Sequence, residues 1–373
     1  MDHTAWREEF PVVNDTVFFN HSAVSPMPKR ARDAGVSVFD DRWQRASWDY
    51  FRWLDLVADT RQRAARLLGT EADRVAFTGN TSSGLSLVAS GLHWEAGDAV
   101  AVTWPDFPTV RFQCEALRER GVRLVEIPRR EGKVDLDEAA KIIPGCRLVM
   151  ASTVDFATGT AIDVEGLVTL CHRAGALCCL DVIQSLGALP INVSALGVDF
   201  AAAGCHKWQL GPMGLGVFYV APGREELLHT VTVGWRSVDD EEHLTDVYHL
   251  KAGAGRYEPG TQDIAAIAAY GASLSLLEEV GAETVKASIF AVIDALRDGL
   301  AERGLDVISP MGAGERSSIL AFCHPQAEEL YTYFMQSRVF VSFRNGRVRL
   351  APHFYNDASD VARFFTILDA FGK

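Results

Sequence analysis

What most limits the fold of this chain is an alternation. Apolar runs of strand length at residues 75–78, 99–103, 123–127, 148–153, 177–181 and 199–203 are separated by amphipathic stretches such as 83–92, 110–120 and 164–174. Strands buried on both faces read as continuous apolar runs, and a period near 3.6 between them marks the helices that cover them. The pattern predicts an α/β fold with a mostly parallel sheet flanked by helices. A further run at 216–220 follows the glycine-rich turn at Gly211, Pro212, Gly214 and Gly216 and extends the sheet by a short connection, which brings the expected sheet to seven strands. Beyond the glycine-rich stretch at 251–261 the pattern changes to long helices at 264–280 and 284–303, then short strands and a terminal helix from about Asp357. Residues 15–255 therefore read as a large domain, and residues 1–14 with 256–373 as a smaller α+β domain.

The 373 residues, 48% of them hydrophobic, are enough to bury a sizeable core. A formal net charge of -13 and a pI near 5.3 argue against a broad phosphate-binding surface, so nucleic acid is not an expected partner. No run approaches the roughly 20 apolar residues of a membrane helix, and the first ten residues carry Asp2, Glu8 and Glu9 instead of an apolar signal core. No membrane contact is expected, and a cytoplasmic location is. The seven cysteines form no CxxC pair and sit mostly among Ala, Leu and Val, which reads as reduced, buried thiols and not a metal site.

Chemistry concentrates in two segments that follow expected strands, Leu180-Asp-Val-Ile-Gln-Ser and Gly204-Cys-His-Lys-Trp-Gln. Groups at the carboxyl ends of strands in such a sheet converge on one crevice, so Asp181 and Lys207 can meet around one ligand. A buried lysine loses its proton readily, and its neutral amine can attack an aldehyde to give an imine. A carboxylate can hold a pyridine nitrogen protonated. Taken singly, each has an ordinary account as well, Asp181 as a turn cap and Lys207 as a surface charge. The TGNTSSG segment at 78–84 lies between strand and helix, where Asn80, Thr81 and Ser82 fit either an N-cap cluster or a phosphate cradle.

Together these segments resemble the class V aminotransferase family of fold type I pyridoxal phosphate enzymes, in its branch of cysteine desulfurases, selenocysteine lyases, kynureninases and isopenicillin N epimerase-like proteins. The resemblance is carried, in order, by residues 19–26 (FNHSAVSP), 78–84, 181–184 (DVIQ), 206–208 (HKW), 256–261 (RYEPGT) and 348–356 (VRLAPHFYN). It implies pyridoxal 5'-phosphate bound through Lys207 as a Schiff base, with Asp181 at the ring nitrogen. It places Phe107 over the ring, Ile183 beneath it, Gln184 at the phenolic oxygen and His206 beside the phosphate or the lysine. It further implies a homodimer in which Thr261 reaches the phosphate of the neighbouring subunit, although Thr261 also fits a plain N-cap. Arg349 would bind the α-carboxylate of an amino-acid substrate, with Asn20 and His21 as further substrate contacts; nearby Arg344 fits either a binding point for a second carboxylate or, like Arg347, a solvated surface charge.

The chain departs from the family pattern at three places. Persulfide-forming desulfurases carry a cysteine on a loop shortly before the carboxylate-binding arginine, and none lies between Cys323 and Arg349. Thr153 and Phe156 stand where a histidine and the desulfurase asparagine are usual, and Gly204 stands where many relatives have a serine. The expectation is an enzyme that generates a carbanion at the Cα of an amino acid and removes a β-substituent, in the manner of a carbon-sulfur lyase without a persulfide cysteine. Aminotransfer to a 2-oxo acid and epimerisation are the alternatives, and a pyridoxal-binding protein without turnover is the reading outside enzymes.

Overall fold

The computed structural model describes residues 4–240 and 247–372. The chain enters through α1 (Thr4–Arg7) and β1 (Val17–Phe18), followed by two long helices, α2 (Lys29–Arg45) and α3 (Tyr50–Leu68). Strand and helix then alternate through β2 (Val75–Thr78), α4 (Thr81–Gly91), β3 (Ala99–Trp104), α5 (Pro108–Ala116), β4 (Arg123–Arg130), β5 (Lys133–Val134) and α6 (Leu136–Ile142). The alternation continues through β6 (Leu148–Ser152), α7 (Val164–Arg173), β7 (Leu177–Asp181), β8 (Phe200–Gly204) and β9 (Gly216–Val220). The C-terminal part comprises α8 (Ile264–Val280), α9 (Ala282–Glu302), β10 (Leu320–Phe322), α10 (Ala327–Gln336), β11 (Val339–Phe340), β12 (Ser342–Arg344), β13 (Arg347–Leu350) and α11 (Ala358–Leu368).

The central sheet has eight strands in the order β2-β9-β8-β7-β6-β3-β4-β5. Pairing is parallel from β8 to β4, while β9 is antiparallel to both β8 and β2. All seven expected strands are present. The eighth, β5, is a two-residue antiparallel partner of β4 reached through Glu131 and Gly132, both at positive φ. It is too short and polar to leave an apolar signature.

Because successive side chains of a strand point to opposite faces, each central strand feeds two core layers. Ala99, Ala101, Val149 and Ala151 join the layer that holds Leu167 of α7 and Leu274 of α8. Val100, Val102, Leu148 and Met150 join the opposite layer, with Leu85 and Val88 of α4 and Val110 of α5. At Gly84 the helix α4 lies so near the sheet that a Cβ would stand 2.7 Å from that of Ala202. That close approach brings the start of α4 to the strand ends.

At the common carboxyl edge, Arg129 and Asp106 form an ion pair at 3.0 Å with side chains 0% and 1% exposed. Arg129 also donates to Thr103 Oγ1 at 3.2 Å and to the Ser152 carbonyl. Asp106 accepts from the Ser152 N–H at 3.0 Å and from the Phe107 N–H at 2.6 Å. The ends of β3, β4 and β6 and the loop bearing Phe107 are thereby fixed to one another.

The C-terminal part adds an antiparallel sheet in the order β10-β13-β12, with Ser342 opposite Arg349. β1 pairs in parallel with β11, and Asn20 bridges to Ala351. The chain after β1 then reaches the central sheet, where Ser25 donates from its N–H to the His206 carbonyl at 2.9 Å and from its hydroxyl to the Lys207 carbonyl at 2.5 Å. No single helix among the described residues is long and apolar enough to cross a membrane.

Removing one partner of a buried ion pair strands the other charge, so Arg129→Met should lower the free energy of unfolding by about 3–5 kcal/mol. Lys133→Met, which breaks an exposed pair with Glu315 at 2.8 Å, should cost less than about 1 kcal/mol. Urea titration of the two variants checks the contrast.

Candidate active site

A cavity of about 380 Å³ opens where the carboxyl ends of the central strands meet the β12–β13 hairpin. Eleven of the fourteen expected site residues line it: Asn80, Thr81, Ser82, Phe107, Asp181, Ile183, Gln184, His206, Lys207, Arg344 and Arg349.

One wall is the start of α4. Asn80 is its N-cap, accepting from the Ser83 N–H at 2.9 Å, so the capping account of this residue holds and its amide N–H groups stay available to the cavity. Thr81 Oγ1 accepts from the Gly204 N–H at 2.9 Å, which leaves the threonine its own hydroxyl hydrogen to donate. Ser82 pairs with the Thr109 hydroxyl at 2.6 Å. The first N–H groups of a helix have no intrahelical partner, and with these hydroxyls they suit an anion. At Gly204 a Cβ would stand 3.0 Å from the His206 ring, so a serine there would have to displace the histidine.

Lys207 faces the cavity from the turn after β8 and Asp181 from the last position of β7. Burial pushes the lysine pKa down to about 8; Asp181 pulls it back, and Arg349 and Arg344 push it further down. Burial pushes Asp181 up, against a 2.9 Å hydrogen bond from the Ile183 N–H and the charge of Lys207. Among the described residues no carboxylate lies within the 4.0 Å ion-pair distance of Lys207. A buried amine with a depressed pKa and no fixed acceptor is poised as a nucleophile and base.

Phe107 stands on the open side, its ring centroid 5.7 Å from Lys207 Nζ and 5.4 Å from the ring of Phe156, edge to face. Gln184 is buried, accepting from Trp208 Nε1 at 2.9 Å and donating to the Ser22 carbonyl at 3.1 Å. One of its amide hydrogens is left for a ligand.

Arg349 is 2% exposed, and burial first, then Arg344, pushes its pKa down to about 9. It donates to the Phe156 carbonyl and to Ser342 Oγ at 3.1 Å, while its buried Nε has no partner. Such a guanidinium is an incomplete ion pair that a carboxylate would complete.

Three expected contacts lie elsewhere. His21 is fully buried, with ring nitrogens 2.8 Å from the Ala351 carbonyl and 2.6 Å from the Tyr355 hydroxyl, so it has no edge left for a substrate. Asn20 is spent on the Ser342 hydroxyl and reaches the cavity only through Arg349, which shares that hydroxyl. Thr261 is exposed on a second cavity of about 640 Å³, beside Thr78, Gly79 and Ser83. Conversely, Ser22, Val24 and Thr109 line the site without having been expected there. Ser22 and Val24 lie within the 19–26 segment and Thr109 two residues after Phe107, and those positions are the signals that point to them.

The donor set fits pyridoxal 5'-phosphate. An anion cradle at α4, an aromatic face at Phe107, a carboxylate at Asp181 and a poised amine at Lys207 border one cavity, as a fold type I pyridoxal phosphate enzyme requires. The Aminotransferase class-V family model matches residues 43–360, and the chain belongs to that family. It is a pyridoxal 5'-phosphate-dependent enzyme. A probable cysteine desulfurase of Pyrococcus abyssi is 25% identical, covering 98% of this chain and 97% of its own length. Kynureninase of Pseudomonas fluorescens is 24% identical over 92% and 85% of the two chains. A solved complex of the cystine C-S lyase C-DES with its product cysteine persulfide matches with a TM-score of 0.90 at 23% identity, covering 98% of this chain and 100% of that one, a likeness of fold.

The Asp181 shift has a measurable sign. Its folded-state pKa is raised to about 7 from an ordinary 3.8, so the folded apoprotein binds that proton more tightly than the unfolded chain, and the associated stability is lost as pH rises through that window. Asp181→Asn removes the dependence. The apo variant should gain stability over the apo wild type as pH is raised from about 4 to about 7, as chemical denaturation at each pH would show.

Proposed function

We propose that the enzyme acts on an amino acid held by Arg349 and removes a β-substituent from it, as a carbon-sulfur lyase working without a persulfide cysteine. The observation that carries this reading is the cavity wall. It contains a poised amine, a carboxylate and an unpaired guanidinium but no thiol, because six cysteines are buried elsewhere and half-buried Cys323 lies outside the lining.

When bound, the cofactor supplies an electron sink conjugated to the substrate's Cα. Lys207 would hold the cofactor, and its amine, once free, would take the Cα proton and pass a proton to the β-substituent as that group leaves with the electrons of its bond to Cβ, a task suited to a pKa near the working pH. Asp181 holds the proton on the ring nitrogen, and Asn80, Thr81, Ser82 and His206 bind the phosphate. Phe107 and Ile183 enclose the ring and keep water from it, and Gln184 donates to the phenolic oxygen. Arg349 grips the α-carboxylate through two parallel hydrogen bonds, which orients the Cα–H bond toward Lys207. Thr261, outside the cavity of its own chain, serves the phosphate of a second copy in a homodimer.

The reaction type is tested by incubating the holoenzyme with cysteine and its S-conjugates and measuring pyruvate, alanine, keto acid and racemised substrate. Pyruvate formed from a conjugate without added 2-oxo acid is the expected outcome. Strict dependence on a 2-oxo acid would instead make the enzyme an aminotransferase, and racemised substrate alone an epimerase.

A further inference from the structure

The β12–β13 hairpin presents an unusual surface to the cavity. Its register sets Ser342 opposite Arg349 and Arg344 opposite Arg347, and alternate residues of a strand share a face. Ser342, Arg344, Arg347 and Arg349 therefore lie on one side of the hairpin, with Arg344 and Arg349 both lining the cavity. Like charges directly opposite each other on a sheet are destabilising, and three arginines on one face accumulate that cost.

Many arginines elsewhere in the chain have a carboxylate partner. Arg61 is paired with Glu258, Arg74 with Glu225 and Arg111 with Glu126. On the hairpin face three arginines together have none: among the described residues no carboxylate lies within 4.0 Å of Arg344, Arg347 or Arg349. Arg344 donates at 2.7 Å to the carbonyl of its neighbour Phe343, and Arg349 keeps a buried Nε without a partner. Buried Arg349 is thus an incomplete ion pair, and exposed Arg344 sets a second guanidinium without a carboxylate at the same cavity.

Under the function proposed above, one anion is accounted for, the α-carboxylate on Arg349, while the phosphate belongs to the α4 wall. Arg344 remains. Diagonal positions on a hairpin stand about 7–8 Å apart, near enough for two long guanidinium side chains to take the two acid groups of one small molecule. We propose that Arg344, with Arg347 behind it raising the local positive potential, is a second anion-binding point, and that the substrate is an amino acid whose side chain ends in an acid group, a carboxylate or a sulfinate.

The test uses the holoenzyme and isosteric pairs, aspartate against asparagine and glutamate against glutamine, with cysteine sulfinate as the sulfur acid. Dissociation constants come from calorimetry and from the change in cofactor absorbance on binding. A charge-assisted hydrogen bond predicts about 10- to 100-fold tighter binding of at least one acid than of its amide, or, if the sulfur acid is the better fit, of cysteine sulfinate than of either amide. Arg344→Gln should bring that ratio near 1, and Arg344→Lys should keep part of it, because the charge survives but the planar fork does not. Equal binding of acids and amides by the wild type, or a ratio unchanged in Arg344→Gln, would overturn this proposal while leaving the lyase reading standing. No calorimetric or spectral response to any amino acid would overturn both.

Discussion

The ion pair of Arg129 and Asp106 is the constraint on which the geometry of the catalytic edge depends. A parallel sheet brings its carboxyl ends to one side, but it does not fix how far each chain projects beyond the sheet before turning. Here a guanidinium and a carboxylate excluded from water bind the ends of β3, β4 and β6 to one another and to the N–H of Phe107. Such a pair contributes little net stability when compared with a well-packed apolar alternative. What it supplies is position, since each hydrogen bond is satisfied only in one arrangement of the three strands.

On that frame the cavity is left with an excess of positive charge. Lys207, Arg344 and Arg349 face one acid, Asp181, and removal from water is what most strongly opposes the charged forms of Lys207, Arg349 and Asp181. Anionic ligands offset this imbalance. A phosphate at the start of α4 and carboxylate groups at the hairpin would each meet donors that the folded chain leaves unused, which makes ligand binding and relief of electrostatic strain the same event.

Much of this was legible in the sequence because buried parallel strands leave continuous apolar runs, and because Asp181 ends one of them and Lys207 follows closely on another. Helix α2 was not, since the exposed Phe39 and Trp43 blur its apolar stripe, whereas α3 does carry a helical stripe at Trp53, Val57, Ala64 and Leu68. The partnership of Asp106 with Arg129 spans two strands and a helix, so neither residue signals its burial locally. His21 looked like a substrate contact because it sits in a family segment, yet its ring is consumed by Ala351 and Tyr355 from the far end of the chain. Long-range partners of this kind have no periodicity to betray them.

The central claim is that Lys207 carries the cofactor. Borohydride reduction of the holoenzyme, followed by proteolysis and peptide mass measurement, tests it most directly. The account predicts the reduced cofactor's mass on the peptide containing Lys207 and on no other. The same mass on a different lysine, or unmodified Lys207 in protein that retains the cofactor, would contradict it.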